Sequence, residues 1–211
     1  MQRDDYGWAL PYPQMIMTST KQPGYNQPTE QKHKDNLSRL SNFLGKLPFI
    51  VKINSGFRTP AVNSAVGGES SSQHMNGLGA DIYVPSTPLG PLLAKPDLAV
   101  YFWHYRDKMP ELDQVIWYTG TNHTHIGICP KDGTDCMSGA APGKGRQEFM
   151  VKGSSYASWS PSLAEQSTPG ARMLIALGPP RDWKKIAMIA TGVTAGVFLL
   201  GAGVFLYLKR G

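Results

Sequence analysis

From Ile186 to Leu208 the chain reads IAMIATGVTAGVFLLGAGVFLYL, with no charged residue. No other stretch limits the fold so strongly. A helix rises about 1.5 Å per residue, so these 23 residues match a hydrocarbon core of about 30 Å. Trp183, Lys184 and Lys185 flank the run on one side, and Tyr207, Lys209 and Arg210 close the other, as interfacial rings and cations do. A helix in a soluble core would rarely be apolar on every face. One transmembrane helix is therefore expected at Ile186–Leu208, a lipid bilayer its partner, with 209–211 as a basic tail. Gly192 and Gly196 form a GxxxG step that lets two such helices approach closely. Self-association through that face and chance spacing in a Gly-rich helix both fit.

Any globular domain must then lie before this run. Charged residues are 17% of the 211, which excludes a polyelectrolyte tail, and two cysteines are too few for a disulfide scaffold. The net charge of +6 suits an anionic partner such as a wall polymer or lipid headgroups, and equally a plain basic surface. Lys and Arg are scattered, with neither helix-turn-helix pattern nor zinc-finger spacing, so no nucleic-acid partner is expected. Met1–Met17 carries Asp4, Asp5, Pro11 and Pro13 and no long apolar run, so no secretory signal is read there.

Leu37, Leu40, Phe43, Leu44 and Leu47 recur at spacings of three and four, which predicts a helix over Thr29–Leu47. Phe49, Val51 and Ile53 alternate as in a half-buried strand. A Gly/Ser loop is expected at Ser64–Ser72, a short strand at Asp81–Val84 and a second helix at Asp97–Met109. Asp113–Tyr118 and His123–Ile128 read as a hairpin, and Glu148–Lys152 as a last strand. The predicted class is α+β, a small, mostly antiparallel sheet with helices. Residues 1–28 read as an N-terminal extension, 29–153 as the domain, and the Ser/Pro/Gly-rich 154–185 as a linker.

His74 and Asp81 stand close together in SSQHMNGLGADIYV, and His125 follows in TNHTHIGI. Two histidines and one carboxylate are a common ligand set for a catalytic Zn²⁺ that keeps one position open. A His, a Gly-containing turn and an Asp entering a strand can converge on one ion, with His125 supplied by a neighbouring strand. His33 and His104 are read as structural. Cys129 and Cys136 bracket a short loop; a disulfide and two free thiols both fit, and zinc ligation does not, since no CxxC is present.

The stretch SGFRTPAVNSAVGGESSSQHMNGLGADIYV resembles the zinc-dependent D-alanyl-D-alanine carboxypeptidase family. That family includes phage murein endopeptidases and shares its fold with the Hedgehog signalling domain. Its hallmark SxHxxGxAxD is matched at Ser72, His74, Gly77 and Asp81, with Gly79 where Ala is usual. LDQVIW and HTHIGI resemble its late strands, so the likeness spans about Leu37–Ile128. The resemblance implies Zn²⁺ on His74, Asp81 and His125, and peptidoglycan stem peptides as substrate. It places Arg58, in SGFR, on a peptide carboxylate, a structural salt bridge being the other reading. Ser72 would contact substrate or order the ligand loop, and Gln73 and Asn76 would support the ligands. Many relatives carry an acidic base three positions before the last ligand, where this chain has Asn122. His123 is then the candidate catalytic base, sharing a strand face with His125, and Asp113 is the runner-up.

Carboxypeptidase and endopeptidase activity both remain open, as does a non-catalytic wall-binding protein that keeps the fold. Murein lies outside the membrane, whereas a tail-anchored domain stays inside. A virion-associated lytic enzyme carried in the membrane of a bacteriophage removes that conflict; a bacterial envelope enzyme exported by another route is the alternative.

Overall fold

A computed structural model describes residues 9–10, 12–18, 26–85, 96–121, 123–129, 136 and 143–181. The expected membrane helix with Gly192 and Gly196, and Asn122, lie outside the described residues. Among the described residues no helix is long and apolar enough to cross a membrane. The chain divides into two compact units after Pro180, and the elements named here all belong to the first of them.

The order of elements is α1 (Tyr12–Met15), α2 (Gln31–Leu44), β1 (Lys52–Ser55), α3 (Pro60–Ala65), β2 (Gly79–Tyr83), α4 (Asp97–Tyr105), β3 (Leu112–Tyr118), β4 (Thr124–Ile128), β5 (Glu148–Lys152), β6 (Tyr156–Ser158), α5 (Leu163–Gln166) and α6 (Pro169–Ala176). One six-stranded sheet has the order β1-β2-β4-β3-β5-β6. Every pairing is antiparallel except β3 with β5, so the sheet is mixed and the class is α+β.

The register separates two faces. Asp81 pairs with His125 and His125 with Ile116, and residues opposed in a ladder share a face. By alternation His123 and Tyr118 lie on that face too. The opposite face carries Ile82, Ile126, Val115 and Phe149, which join Leu37, Leu40 and Leu44 of α2 and Tyr101 and Phe102 of α4 in one hydrophobic core. The sheet thus has helices on one side and the polar cluster on the other.

The expected strand at Phe49 begins only at Lys52. Phe49, Val51 and Ile53 are all buried, so their alternation reports burial.

Residues 1–28 are not a mere extension: those described within them are built into the domain. Leu10, Met15 and Ile16 are buried in the core. The Gly56 and Phe57 N–H groups donate to Met17 O and Met15 O at 2.7 and 2.8 Å. The buried Asn26 amide donates to Ile16 O and Phe57 O.

The linker reading of 154–185 is likewise corrected over 154–180. There β6 pairs with β5, and α6 packs on α4 with Ala171 and Leu174 fully buried. The Tyr105 and Tyr101 hydroxyls donate to Ile175 O and Gly178 O at 2.7 and 3.1 Å. The Ser, Thr, Pro and Gly that suggested a linker are helix punctuation. Ser162 and Glu165 form a capping box, Thr168 caps α6 with Pro169 in its first turn, and Gly178 takes φ 90° beyond its end. Leu174→Ala is expected to cost about 2–5 kcal/mol in a urea unfolding measurement; an unchanged midpoint would return the segment to linker status.

Candidate metal centre

His74 sits in a 3-10 turn, Gln73–Asn76, that ends at Gly77 in the left-handed region, φ 71°. A Cβ at Gly77 would also press to 2.7 Å from His33 O, so glycine is required on both counts. The next residues enter β2 and bring Asp81 back beneath His74. At Gly79, where the family pattern has Ala, a Cβ would lie 2.9 Å from His125 Cε1. Packing against the third histidine is closed there.

The three predicted ligands converge. His125 Nδ1 lies 3.1 Å from both His74 Nε2 and Asp81 Oδ1, and His74 Nε2 lies 3.3 Å from Asp81 Oδ1. All three are buried, and one ligand atom from each falls within 4.8 Å of the others. His74 Nδ1 is taken by Gly56 O at 2.6 Å, which makes it the N–H and leaves Nε2 with its lone pair on the cluster. Burial pushes the His125 imidazole below its usual range, so it is neutral near pH 7, as a metal ligand must be. Burial alone would raise the Asp81 carboxyl. Its close contacts with His74 and His125 outweigh that and hold Asp81 well below the carboxylate range. Three convergent donors, one anionic and two imidazole, fit a zinc site with an open position.

Arg58 is present, but its guanidinium serves the ligand. It donates to Asp81 Oδ2 at 2.6 Å and to Ser55 Oγ at 2.9 Å. This leaves Asp81 Oδ1 for the cluster. Two of the five guanidinium N–H groups are engaged in this way. Ser72 orders the ligand loop through its backbone, its carbonyl accepting from Met75 N–H at 3.1 Å. Asn76 likewise acts through its carbonyl, which accepts from the Asn36 amide at 2.9 Å.

His123 is half-buried on the ligand face, its ring 4.9 Å from that of Tyr118. Its Nδ1 stands 3.5 Å from Asn54 Nδ2. Burial lowers its pKa, opposed by the charge of Asp81, so its imidazole is neutral near pH 7. It lines an open cleft of about 400 Å³ with Asn54, Tyr83, Gly120 and Thr121.

Asp113 is not placed to act as a base. It is fully buried, and the ladder register slips beside it. Arg146 donates to Oδ1 through its backbone N–H and Nε, at 2.8 and 3.1 Å, and to Oδ2 through a terminal nitrogen at 2.9 Å. Gln73 Nε2 also donates to Oδ2 at 2.9 Å. A carboxylate so engaged has no place for a proton from water.

The sequence reading missed Tyr118, Arg146 and the Gly56 carbonyl. Tyr118 was legible from register alone, since it shares the face of His123. Its hydroxyl is pushed up by burial and by the charge of Asp81, and it bonds to Tyr156. His33, packed against Phe57 at 5.5 Å, and the exposed His104 are not in the metal cluster. Cys129 and Cys136 are joined in a disulfide.

The depressed imidazoles have a consequence for stability. His123 and His125 bind protons more weakly folded than unfolded, so unfolding takes up protons once pH falls below about 6.5, and stability drops with it. The metal-free protein is expected to lose melting temperature between about pH 7 and 5.5. A flat or rising profile in a thermal scan would contradict the burial of these rings.

Residues 10–98 match the family model of Peptidase M15. The match covers less than half of the chain; it includes Arg58, Ser72, His74 and Asp81 and stops before His125. Comparison with curated proteins finds no match. The family match supports the resemblance to zinc-dependent D-alanyl-D-alanine carboxypeptidases and, with it, a metallopeptidase acting on peptidoglycan.

Proposed function

We propose that the chain is a zinc-dependent murein peptidase that hydrolyses stem-peptide bonds near D-Ala. The convergence of His74, Asp81 and His125 on one point is the observation that carries this reading. A zinc ion held there would polarise the scissile carbonyl and acidify a water. The chain's own groups do the rest. His123 accepts the water's proton and returns it to the leaving amine as the C–N bond breaks. Arg58 fixes the carboxylate ligand and offers its remaining N–H groups to the peptide. The adjoining cleft, about 400 Å³, is of a size for a short peptide. Ile186–Leu208 would anchor the enzyme in a bilayer, for which a virion membrane and entry through the host wall are proposed.

The test is incubation of the full chain, in detergent, with purified peptidoglycan, with and without a chelator, and mass analysis of the fragments. New amino termini that vanish with chelator support the reading. Loss of terminal D-Ala would name a carboxypeptidase, and cleaved cross-links an endopeptidase. Zinc uptake with intact wall peptides would instead favour the non-catalytic wall-binding protein.

A further inference from the structure

Gln73 precedes a ligand and is itself buried. Its side chain lies over Gly127 of β4, where an added Cβ would overlap Gln73 Oε1 and stand 2.7 Å from Nε2. Beyond it is Asp113, held from the far side by Arg146, whose terminal nitrogen also meets Glu148 at 3.3 Å. The groups make a line from Arg146 through Asp113 and Gln73 to His125 Nε2, with spacings of 2.9, 2.9 and 3.4 Å.

The donor and acceptor roles along this line are forced. A carboxylate only accepts, so the Gln73 amide turns its nitrogen to Asp113 and its oxygen to His125. An amide oxygen also only accepts, so His125 Nε2 carries the hydrogen. A neutral imidazole has one N–H, and Nδ1 therefore keeps its lone pair. Nδ1 is the atom that lies 3.1 Å from Asp81 Oδ1 and from His74 Nε2. An opposing pull exists, because Asp81 Oδ1 draws the proton onto Nδ1. Without the line the imidazole would donate to Asp81 and turn its only lone pair away from the cluster.

We propose that Arg146, Asp113 and Gln73 are positioning residues that set the tautomer of His125, keeping Nδ1 free where the ion would bind. The inference rests on the zinc reading above for its purpose, though not for its geometry. It also gives Asp113 a role through another residue in place of the base role expected from sequence.

The test uses the full chain with ¹⁵N-labelled histidine. In the metal-free protein, long-range ¹H–¹⁵N spectra report the fraction of His125 carrying its proton on Nε2. Gln73→Leu and Asp113→Asn should lower that fraction. Both should weaken zinc binding, read by chelator competition, by about 10–100-fold, as loss of an outer partner of a ligating histidine does. The double exchange Gln73→Glu with Asp113→Asn keeps one negative charge and again presents a pure acceptor to Nε2–H. It should restore most of the affinity, which a packing role would not. Unchanged tautomer and affinity in both single variants, with the fold intact by circular dichroism, would overturn the proposal. A tautomer that shifts in these variants while the wild-type chain shows no zinc affinity would overturn the zinc reading and leave the line standing.

Discussion

His125→Ala is expected to abolish zinc binding at neutral pH and, with it, hydrolysis of wall peptides. Catalytic zinc sites hold three protein ligands, and this change leaves His74 and Asp81 alone. The loss should exceed the roughly 10–100-fold that follows from removing an outer hydrogen-bond partner. The fold should survive, because Asp81 keeps Arg58 at 2.6 Å and His74 at 3.3 Å. The measurement is zinc affinity and fragment release side by side with His104→Ala, an exposed histidine of α4 that should behave as wild type. Full activity in His125→Ala would remove it from the ligand set.

Gly56→Ala should produce a large loss of stability beside the site. A Cβ there would collide with the Met15 carbonyl oxygen and lie 2.6 Å from its carbon. Both are backbone atoms and cannot swing aside as a side chain would. Overpacking costs about 1–3 kcal/mol in general, and backbone against backbone places this change at about 3 kcal/mol. The damage reaches the site by two routes. Met15 O holds Phe57 N–H at 2.8 Å, and Gly56 O fixes His74 Nδ1 at 2.6 Å. Urea unfolding and zinc affinity should therefore fall together. Gly153→Ala, whose Cβ would meet only Thr119 Oγ1 at 3.8 Å, is the control expected to leave both unchanged. A stable Gly56→Ala protein would mean that the N-terminal segment is not fixed against the site.

The ligand set was legible because short-range rules encode it. A His, a Gly-containing turn and an Asp entering a strand are local features, and the resemblance to the carboxypeptidase family pointed to His125 as the third ligand. The helix over Thr29–Leu47 and the strand at Glu148–Lys152 were legible for the same reason, each carrying its own period or pattern. The end of the domain was not. α5 and α6 are only four and eight residues long, too short to display a period, and their caps read as linker composition. Nor was Asp113 legible: its partners Gln73 and Arg146 are 40 and 33 positions away, and only the folded sheet shows that they fill its acceptor sites. Arg58 bonds the carboxylate of Asp81 at 2.6 Å, the salt-bridge contact that the sequence reading gave as its second alternative. A guanidinium beside a carboxylate ligand bonds that ligand before it can meet a substrate.

The central claim is that His74, Asp81 and His125 together hold one zinc ion. X-ray absorption on the zinc-loaded full chain tests it most directly, together with metal content. The account predicts about one zinc per chain with nitrogen and oxygen neighbours at about 2.0–2.1 Å, two of them imidazole, and no sulfur, since both cysteines are bonded to each other. That signal should vanish in His125→Ala. Sulfur neighbours, or zinc retained unchanged in that variant, would contradict it.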